Sequence, residues 1–526
     1  MKLTFSTVKN IIRFVLVCLM LSQLIFNHNS YAQQSRHNLP HINNVKYINP
    51  LLELESLETN TYSFTNKTKI SFSSISTVNQ KKFYGTISFP LPTDTINTNY
   101  IPWESNAHLG LAISEMALLE FIPWALAKWV RKEDWANVSP NSWWKNISKG
   151  WLYDGDTFLT NQFAHPYHGN LFFNAARTNG YSFWESVPFP FIGSMIWEYF
   201  GETFRPAIND WINTSFSGIN LGEILYRLSN MITDNTASGS ERVFREIGGA
   251  LVNPARGFNR LINGETGRIF PNPVDRVPKT LWQDFFFGAR SFKRVKNDTI
   301  SASVTDAIFE YNLTYGDFLT ANLAKPFSVF HLNLAFATAN PHLTKVRASG
   351  NLFNIFIKRA KYTTHLFMVS LNYNYWNNLG FELGNTQFMF HFLSDFTLKK
   401  QTKISVDAAL SGIVLGATRT EFFLDPEGRD YDYGPGIGMS LIVSVHSKNW
   451  ILFQARYVSN WIWTVSGTLN SKHHLHLLGM QGLLPIYKNL AVGLTFAVYW
   501  RESYYPIFTD VFVTSPVGRI FLALKI

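Results

Sequence analysis

From about residue 282 to the C-terminus, apolar and polar side chains alternate at a period of two. In residues 330–337, Phe330, Leu332, Leu334 and Phe336 alternate with His331, Asn333, Ala335 and Ala337. Phe367, Val369, Leu371, Tyr373 and Tyr375 share one face, and Ser370, Asn372 and Asn374 the other. Val492, Leu494, Phe496 and Val498 alternate with Gly493, Thr495 and Ala497. Period two is the period of a β-strand, whose successive side chains leave opposite faces. A face of large apolar residues backed by a small or polar one fits a wall with lipid outside and a polar lumen inside. Counting back from Ile526 gives about twelve strands, the first near residues 282–296. The predicted fold is therefore a transmembrane β-barrel of about 12 antiparallel strands, preceded by a mainly α-helical domain. A soluble antiparallel sandwich is the competing arrangement.

The connections supply an independent criterion. Short turns at 399–401, 447–449 and 488–489 alternate with longer segments at 418–432, 466–472 and 502–514. In outer-membrane barrels short turns face the periplasm and long loops the exterior, and an even strand count returns both barrel ends to the periplasm. Tyr375, Trp376, Trp461, Trp463, Tyr499 and Trp500 fall at strand ends, where an interfacial aromatic girdle belongs. The last strand ends on Ile526 rather than on the aromatic residue that closes many barrels.

Upstream the period changes. Residues 101–280 read as a helical domain, either periplasmic or lodged inside the barrel. Residues 109–130 form a long apolar stretch carrying Glu115 and Glu120, read as a buried core helix in preference to one lying on a membrane surface. Further helices are expected near 171–177, 193–203, 222–231 and 241–251. Residues 33–100 are polar and rich in Asn, Ser and Thr, a linker with short strands between 67 and 92. Residues 1–32 read as a signal peptide. Lys2, Lys9 and Arg13 precede an apolar core over 14–26, and Ser30-Tyr31-Ala32 offers small residues at the cleavage positions.

Composition agrees with a barrel. Aromatic residues make up 16% of the 526 residues and charged residues also 16%, against about 25% charged in an average soluble domain. Cys18 is the only cysteine and leaves with the signal, so disulfides and cysteine-ligated metals are excluded from the mature chain. The formal charge falls from +10 to +7 on cleavage. That excess suits a surface near anionic lipid and is too diffuse for nucleic acid. The expected partner is outer-membrane lipid, with no nucleic acid. A small-molecule or lipid ligand is left open, as is the oligomeric state.

The candidate chemistry lies in the helical domain. His165 and His168, the pair Glu198/Glu202 spaced i, i+4, and Asp210 are the candidate catalytic residues. Histidines beside carboxylates can act as a general base with orienting acids, or can hold a divalent metal. The His-x-x-His spacing identifies neither, so the metal is left unknown and no cofactor is expected. Glu198 and Glu202 stand in a segment almost free of other charge, and burying two carboxylates is costly unless Arg177, Arg205, Arg227 or a metal compensates. Glu223 and Arg227 read as an i, i+4 ion pair. Asn209-Asp210 reads as the cap of a following helix. Asp154 and Asp156 read as a loop turn. Arg256, Arg260 and Arg268, with Phe258 and Leu261, are candidate lipid-contact residues, a solvated basic face being the alternative. The chain carries no G-x-S-x-G elbow, P-loop or dinucleotide fingerprint.

The string WLYDGDTFLTNQFAHPYHGNLFFNAARTNGYSFWES, followed by GSMIWEYFGE and PAINDWINTSFSGINLGEILYRLS, resembles the domain-of-unknown-function family 3943 of Gram-negative bacteria, over roughly residues 100–270. The resemblance implies an envelope protein with a helical domain ahead of a barrel, and supplies no reaction. His165, Glu198, Asp210, Gly218 and Gly222 also occur in an order similar to that of small VanZ-like membrane or lipoprotein helical domains.

Two roles follow. One is an outer-membrane barrel acting as a structural, binding or transport component of the envelope. The other is a hydrolase of an envelope lipid or other ester, using the His/Glu/Asp cluster. Whether the chain is an enzyme is left open at this level.

Overall fold

The computed structural model describes residues 96–526, apart from 298, 319, 320, 322, 323, 379, 381 and 400. The signal peptide and the short strands expected between 67 and 92 lie outside the described residues.

The C-terminal half is a closed antiparallel barrel of twelve strands, each paired with its sequence neighbours, and β1 closes on β12. The strands are β1 Leu281–Lys296, β2 Thr299–Tyr315, β3 Phe330–Ala337, β4 Leu343–Arg359, β5 Thr363–Asn377, β6 Glu382–Lys399, β7 Thr402–Arg419, β8 Tyr431–Ser447, β9 Trp450–Trp463, β10 Lys472–Tyr487, β11 Leu490–Tyr504 and β12 Val511–Lys525. The period-two reading therefore holds, and the soluble sandwich is excluded. The loops at 420–430, 464–471 and 505–510 lie at one rim. The ends of β6 and β7 at Lys399 and Thr402 and the tight turns 448–449 and 488–489 lie at the other rim, with Leu281 and the C-terminus.

Ion pairs identify the inner face. Glu310 on β2 meets Lys345 on β4 at 3.0 Å and Arg519 on β12 at 2.6 Å. Each pair skips a strand, which side chains accomplish only across the concave interior. Asp306 with Arg290, and the luminal His391–Asp407 contact, belong to the same face. The other face of β12 exposes Phe512, Ile520, Leu522 and Leu524.

Ahead of the barrel lie helices α1 Leu109–Ala125, α2 Pro140–Lys149, α3 His165–Arg177, α4 Phe183–Ser186, α5 Pro188–Ile196, α6 Ile208–Ile212, α7 Gly218–Ile232, α8 Gly239–Val252 and α9 Pro254–Ile262. Pro140, Pro166, Pro188 and Pro254 sit in first turns, where the missing N–H costs nothing and φ is pre-set. Four π-helical turns extend these helices: Leu126–Arg131, Thr160–Ala164, Trp197–Gly201 and Asn213–Ser217.

The helical domain shares a core with the barrel. Its core, with Phe158, Phe173, Phe183, Ile219, Leu221 and Ile224, is continuous with Leu313, Tyr315, Phe330, Leu332, Val346, Ala348, Leu371, Tyr373, Tyr375, Leu415, Ala417, Tyr431 and Tyr433. The strand residues in that cluster alternate with the luminal set: Tyr373 and Tyr375 flank Asn374, and Leu313 lies between Asn312 and Thr314. They also form rows across the ladder, such as Leu313–Leu332–Ala348–Tyr373–Thr386–Leu415. The helices thus pack on the outer wall of β2 through β8, and the lumen is filled by the barrel's own side chains. A small residue permits the close approach: a Cβ on Gly384 would overlap the Gln162 side-chain amide.

Two expectations change with it. The apolar segment Leu109–Arg131, 23 residues with mean hydropathy 1.5, is only 17% buried and is long and apolar enough to cross a membrane. It is a surface helix, not a core helix, burying mainly Ala112, Glu115 and Met116 from α1. Of the aromatics assigned to a lipid girdle, Trp461 and Trp463 are exposed on the outer face, whereas Tyr375 is covered by helices. Trp376 and Tyr499 point into the lumen.

Candidate functional site

The site is assembled where α3, α5 and α6 meet the rim of β8. Asp154 is its structural centre. The Asn209 amide donates to Asp154 Oδ1 at 2.7 Å and the Asn161 amide to the same oxygen at 2.8 Å. Asn161 also donates to the Tyr431 hydroxyl at 2.9 Å, and that hydroxyl donates to the Asp156 carbonyl at 2.9 Å. Arg429, in the loop before β8, donates from its guanidinium to the Asp154 carbonyl and from its backbone N–H to the Gly155 carbonyl. The barrel wall therefore fixes one side of the site.

His165 opens α3 with Nε2 3.5 Å from Asp210 Oδ2. Asp210 Oδ1 accepts from the Asn209 amide at 2.7 Å. The His165 ring is partly exposed and Asp210 is buried. Nδ1 of His165 has no hydrogen-bond partner among the described residues, which leaves it available to a ligand. Glu198 is buried in the π-turn after α5, its Oε2 accepting the Ala207 N–H at 2.7 Å. Glu202 follows that turn, its carbonyl accepting from the Asn146 amide at 3.0 Å. His168 does not join them: Nε2 lies 3.3 Å from the Leu119 carbonyl and its ring packs on Phe172. His165, Asp210, Glu198 and Glu202 thus share one region, and His168 serves α1–α3 packing.

The arginines expected to compensate these acids are engaged elsewhere. Arg177 and Arg227 both pair with Glu223, each at 2.8 Å, and Glu223 is fully buried between them. The i, i+4 reading of Glu223 and Arg227 therefore holds, with a second partner. Arg205 donates to the carbonyls of Lys149, Gly150 and Trp151. Among the described residues, no lysine or arginine makes an ion pair with Asp154, Asp156, Glu198, Glu202 or Asp210. Burial raises the Glu198, Asp210 and Glu202 carboxyls, Glu202 to about 8, and the neighbouring carboxylates push them further in the same direction. Burial also raises Asp156, to about 7. Burial lowers His165, against an opposing pull from Asp154, and lowers His168 to about 4. Burial therefore works against the charged form of each of these groups, imidazolium and carboxylate alike. Three of the four π-turns border it, and such turns recur at functional sites.

Three sequence expectations are corrected. Arg256 and Arg260 are buried, not turned to lipid. Arg256 pairs with Glu104 at 2.9 Å, and Arg260 with Glu246 at 2.7 Å and Glu265 at 3.1 Å. They fasten α9 inside the domain because a guanidinium fork satisfies several buried acceptors at once. Arg268 is exposed, over the Tyr100 ring. Asn209 and Asp210 lie within α6 with their side chains turned to the site, so they do not cap the helix that follows.

Sequence reasoning missed the luminal relays. Ser370 Oγ lies 2.9 Å from His391 Nε2, and His391 Nδ1 lies 3.0 Å from Asp407. The order matches a hydrolytic triad, yet Ser370 is fully buried, so a carbonyl has no approach and the relay fills the lumen. Its residues come from β5, β6 and β7, and no local motif signals them.

A closed twelve-stranded antiparallel barrel with an apolar outer face and a polar lumen is the architecture of bacterial outer-membrane barrel proteins. Within the helical domain, residues 150–255 match the family described as Domain of unknown function (DUF3943), which the motif string resembles, and this segment contains every carboxylate and histidine of the site. No curated protein matches the chain. Among solved structures, the barrel resembles the NanC porin at 10% identity, covering 46% of this chain and 100% of that one with a TM-score of 0.26. It resembles the Pseudomonas putida toluene transporter TodX at 6% identity, 48% and 90% coverage, TM-score 0.21. It also resembles the Escherichia coli outer membrane protease OmpT at 8% identity, 47% and 97% coverage, TM-score 0.18. The likeness is one of architecture.

Proposed function

We propose that this protein hydrolyses an ester of an envelope lipid at the outer wall of the barrel, with the barrel as scaffold and not as conduit. The observation that carries the reading is the cluster of Asp154, Asp156, Glu198, Glu202, Asp210 and His165, whose carboxylates make no ion pair with a lysine or arginine among the described residues and which shares its boundary with the β8 rim. His165 is the general base that takes a proton from water through Nδ1, Asp210 orients the imidazole, and Glu202 is the general acid for the departing alkoxide. A separation of 3.5 Å between His165 and Asp210 is long for a hydrogen bond, and such contacts tighten when substrate is bound. Hydrolysis balances as water adding to the carbonyl carbon, the ester C–O bond breaking, and acid and alcohol leaving.

Two observations support lipid as the substrate phase. Leu118, Phe121, Trp129, Trp144, Trp184, Ile192, Met195, Phe244 and Ile247 are exposed on the helical domain. Exposed large apolar side chains in that number are unfavourable in water and fit the lipid around a barrel. The lumen, by contrast, is bridged by the Glu310 ion pairs. In this reading the domain lies beside the barrel in the outer membrane, which replaces the periplasmic and lumen-filling alternatives.

The test is fatty-acid release from envelope phospholipid and lipopolysaccharide by detergent-purified protein. Release that is lost in His165→Ala supports the reading, and no release by wild type with either substrate overturns it. Orientation is checked separately. External protease on intact cells should cut within residues 420–430, where Leu424 is 74% exposed. Cleavage at 400–401 instead would invert the barrel.

A further inference from the structure

On the outer face of the barrel, away from the helical domain, a second constellation lies at the rim that carries the long loops. His474 and His476 are two residues apart on β10, so both rings leave the same side of the strand. Glu502 on β11 stands directly across from His474, and Trp500 across from His476. His474 Nδ1 is 3.9 Å from Glu502 Oε2. One ligand atom from each of His474, His476 and Glu502 can be taken so that all lie within 4.8 Å of one another. Among the described residues this is the three-ligand set that meets that spacing.

The surroundings hold the rings in place. The Tyr457 hydroxyl on β9 is 3.0 Å from His476 Nδ1, so Nε2 is the ring nitrogen left for a metal. The Tyr504 hydroxyl donates to Glu502 Oε2 at 2.9 Å and leaves Oε1 unengaged. His476 stacks on Trp500 with ring centroids 4.8 Å apart and 15° between planes, and Trp461 packs against His474 at 5.5 Å. Metal-bound histidines and carboxylates are oriented by such outer partners. His474 and Glu502 are about one-third exposed, so an ion and a fourth ligand have access.

We propose that His474, His476 and Glu502 form a zinc site on the outer rim of the barrel. Two imidazoles and one carboxylate are a zinc ligand set that leaves a fourth tetrahedral position open to water or to an anionic oxygen. Zinc bonds of about 2.0–2.2 Å place ligand atoms about 3.3 Å apart. Rotation of the side-chain tips by about an ångström brings the set to that geometry. The site is independent of the chemistry at His165, and its position at a membrane interface fits a structural clasp between β10 and β11.

The test is zinc binding to the full-length protein in detergent, followed by tryptophan fluorescence and by metal content after gel filtration. Wild type is expected to retain one zinc per chain, with a change in tryptophan emission from Trp461 and Trp500. His474→Ala and Glu502→Gln should each weaken binding at least tenfold. His365→Ala, an outward histidine near the opposite rim, should leave it unchanged. Heat-modifiable migration in SDS gels reports whether each barrel is folded, and either folded variant of the pair suffices. Absence of stoichiometric zinc on wild type, or unchanged affinity in a folded His474→Ala or Glu502→Gln protein, overturns the proposal.

Discussion

Glu223→Ala should unfold the helical domain while the barrel stays closed. Glu223 is fully buried and is shared by Arg177 and Arg227, each at 2.8 Å. Removing it leaves two largely buried guanidinium groups without their carboxylate, and breaking a buried pair in this way costs about 3–5 kcal/mol. That is comparable with the whole stability of a small domain. Arg177 keeps its bond to the Tyr181 carbonyl and its place over the Tyr226 ring, and Arg227 its bond to the Pro326 carbonyl, so the loss falls within that range and not beyond it. Proteolysis in detergent should digest residues 96–280 of the variant and leave a barrel that still migrates as a folded species. A variant as resistant as wild type would show that Glu223 is not a fastening point of α3 and α7.

His165→Ala is expected to lower ester turnover by about 10²–10⁴, the usual contribution of a general base. The wild-type pH profile should be bell-shaped. Its alkaline limb should lie near 8, where Glu202 ionises and ceases to donate. Its acidic limb should lie below 6.5, because burial lowers the His165 imidazole from its ordinary value. The same shifts act on stability. Glu202, raised in the folded state, contributes stability that is fully present below its ordinary value near 4.5 and is lost as pH rises through about 8. His168, lowered to about 4, is neutral in the fold while the unfolded chain protonates near 6.5, so stability falls as pH drops from 6.5 toward 4. Turnover that persists unchanged in His165→Ala would remove His165 from the mechanism.

The barrel was legible in the sequence because its period repeats over some 240 residues and each strand has its own alternation. The first helix was legible from its start at Leu109. Two others were read too late, at Leu171 for a helix beginning at His165 and at Gly222 for one beginning at Gly218. Pro166 sits in the first turn of α3, where a proline is compatible with a helix, and Gly218 lets α7 touch Gly169 of α3. The docking of the helices on the outer wall was not legible, because alternation distinguishes two faces of a strand without saying what covers the outer one. A trace of it exists in composition. The covered rows add Tyr315, Tyr373, Tyr375, Tyr431 and Tyr433, with Ala348 and Ala417, to leucines such as Leu313, Leu332 and Leu371. Tyrosines there keep a hydroxyl for the helices, as in the Tyr373 bond to the Gln162 carbonyl at 2.5 Å. In the site, the proximity of His165 to Asp210 joins residues 45 positions apart and required the fold. The candidate carboxylates Glu198 and Glu202 were found from the cost of burying them, and that criterion was not applied to Arg256, whose partner Glu104 lies 152 positions away.

The account rests on helices clamped to the outside of a closed barrel, and neighbouring positions on one strand separate inside from outside. A photoreactive benzoyl-phenylalanine placed at Tyr373, and in a second protein at Asn374, reports which side the helices occupy. Irradiation should join position 373 to the segment around residues 158–162 and should give no product from 374 to the helical domain. Cross-linking from 374 and not from 373 would put the helices in the lumen and contradict the account.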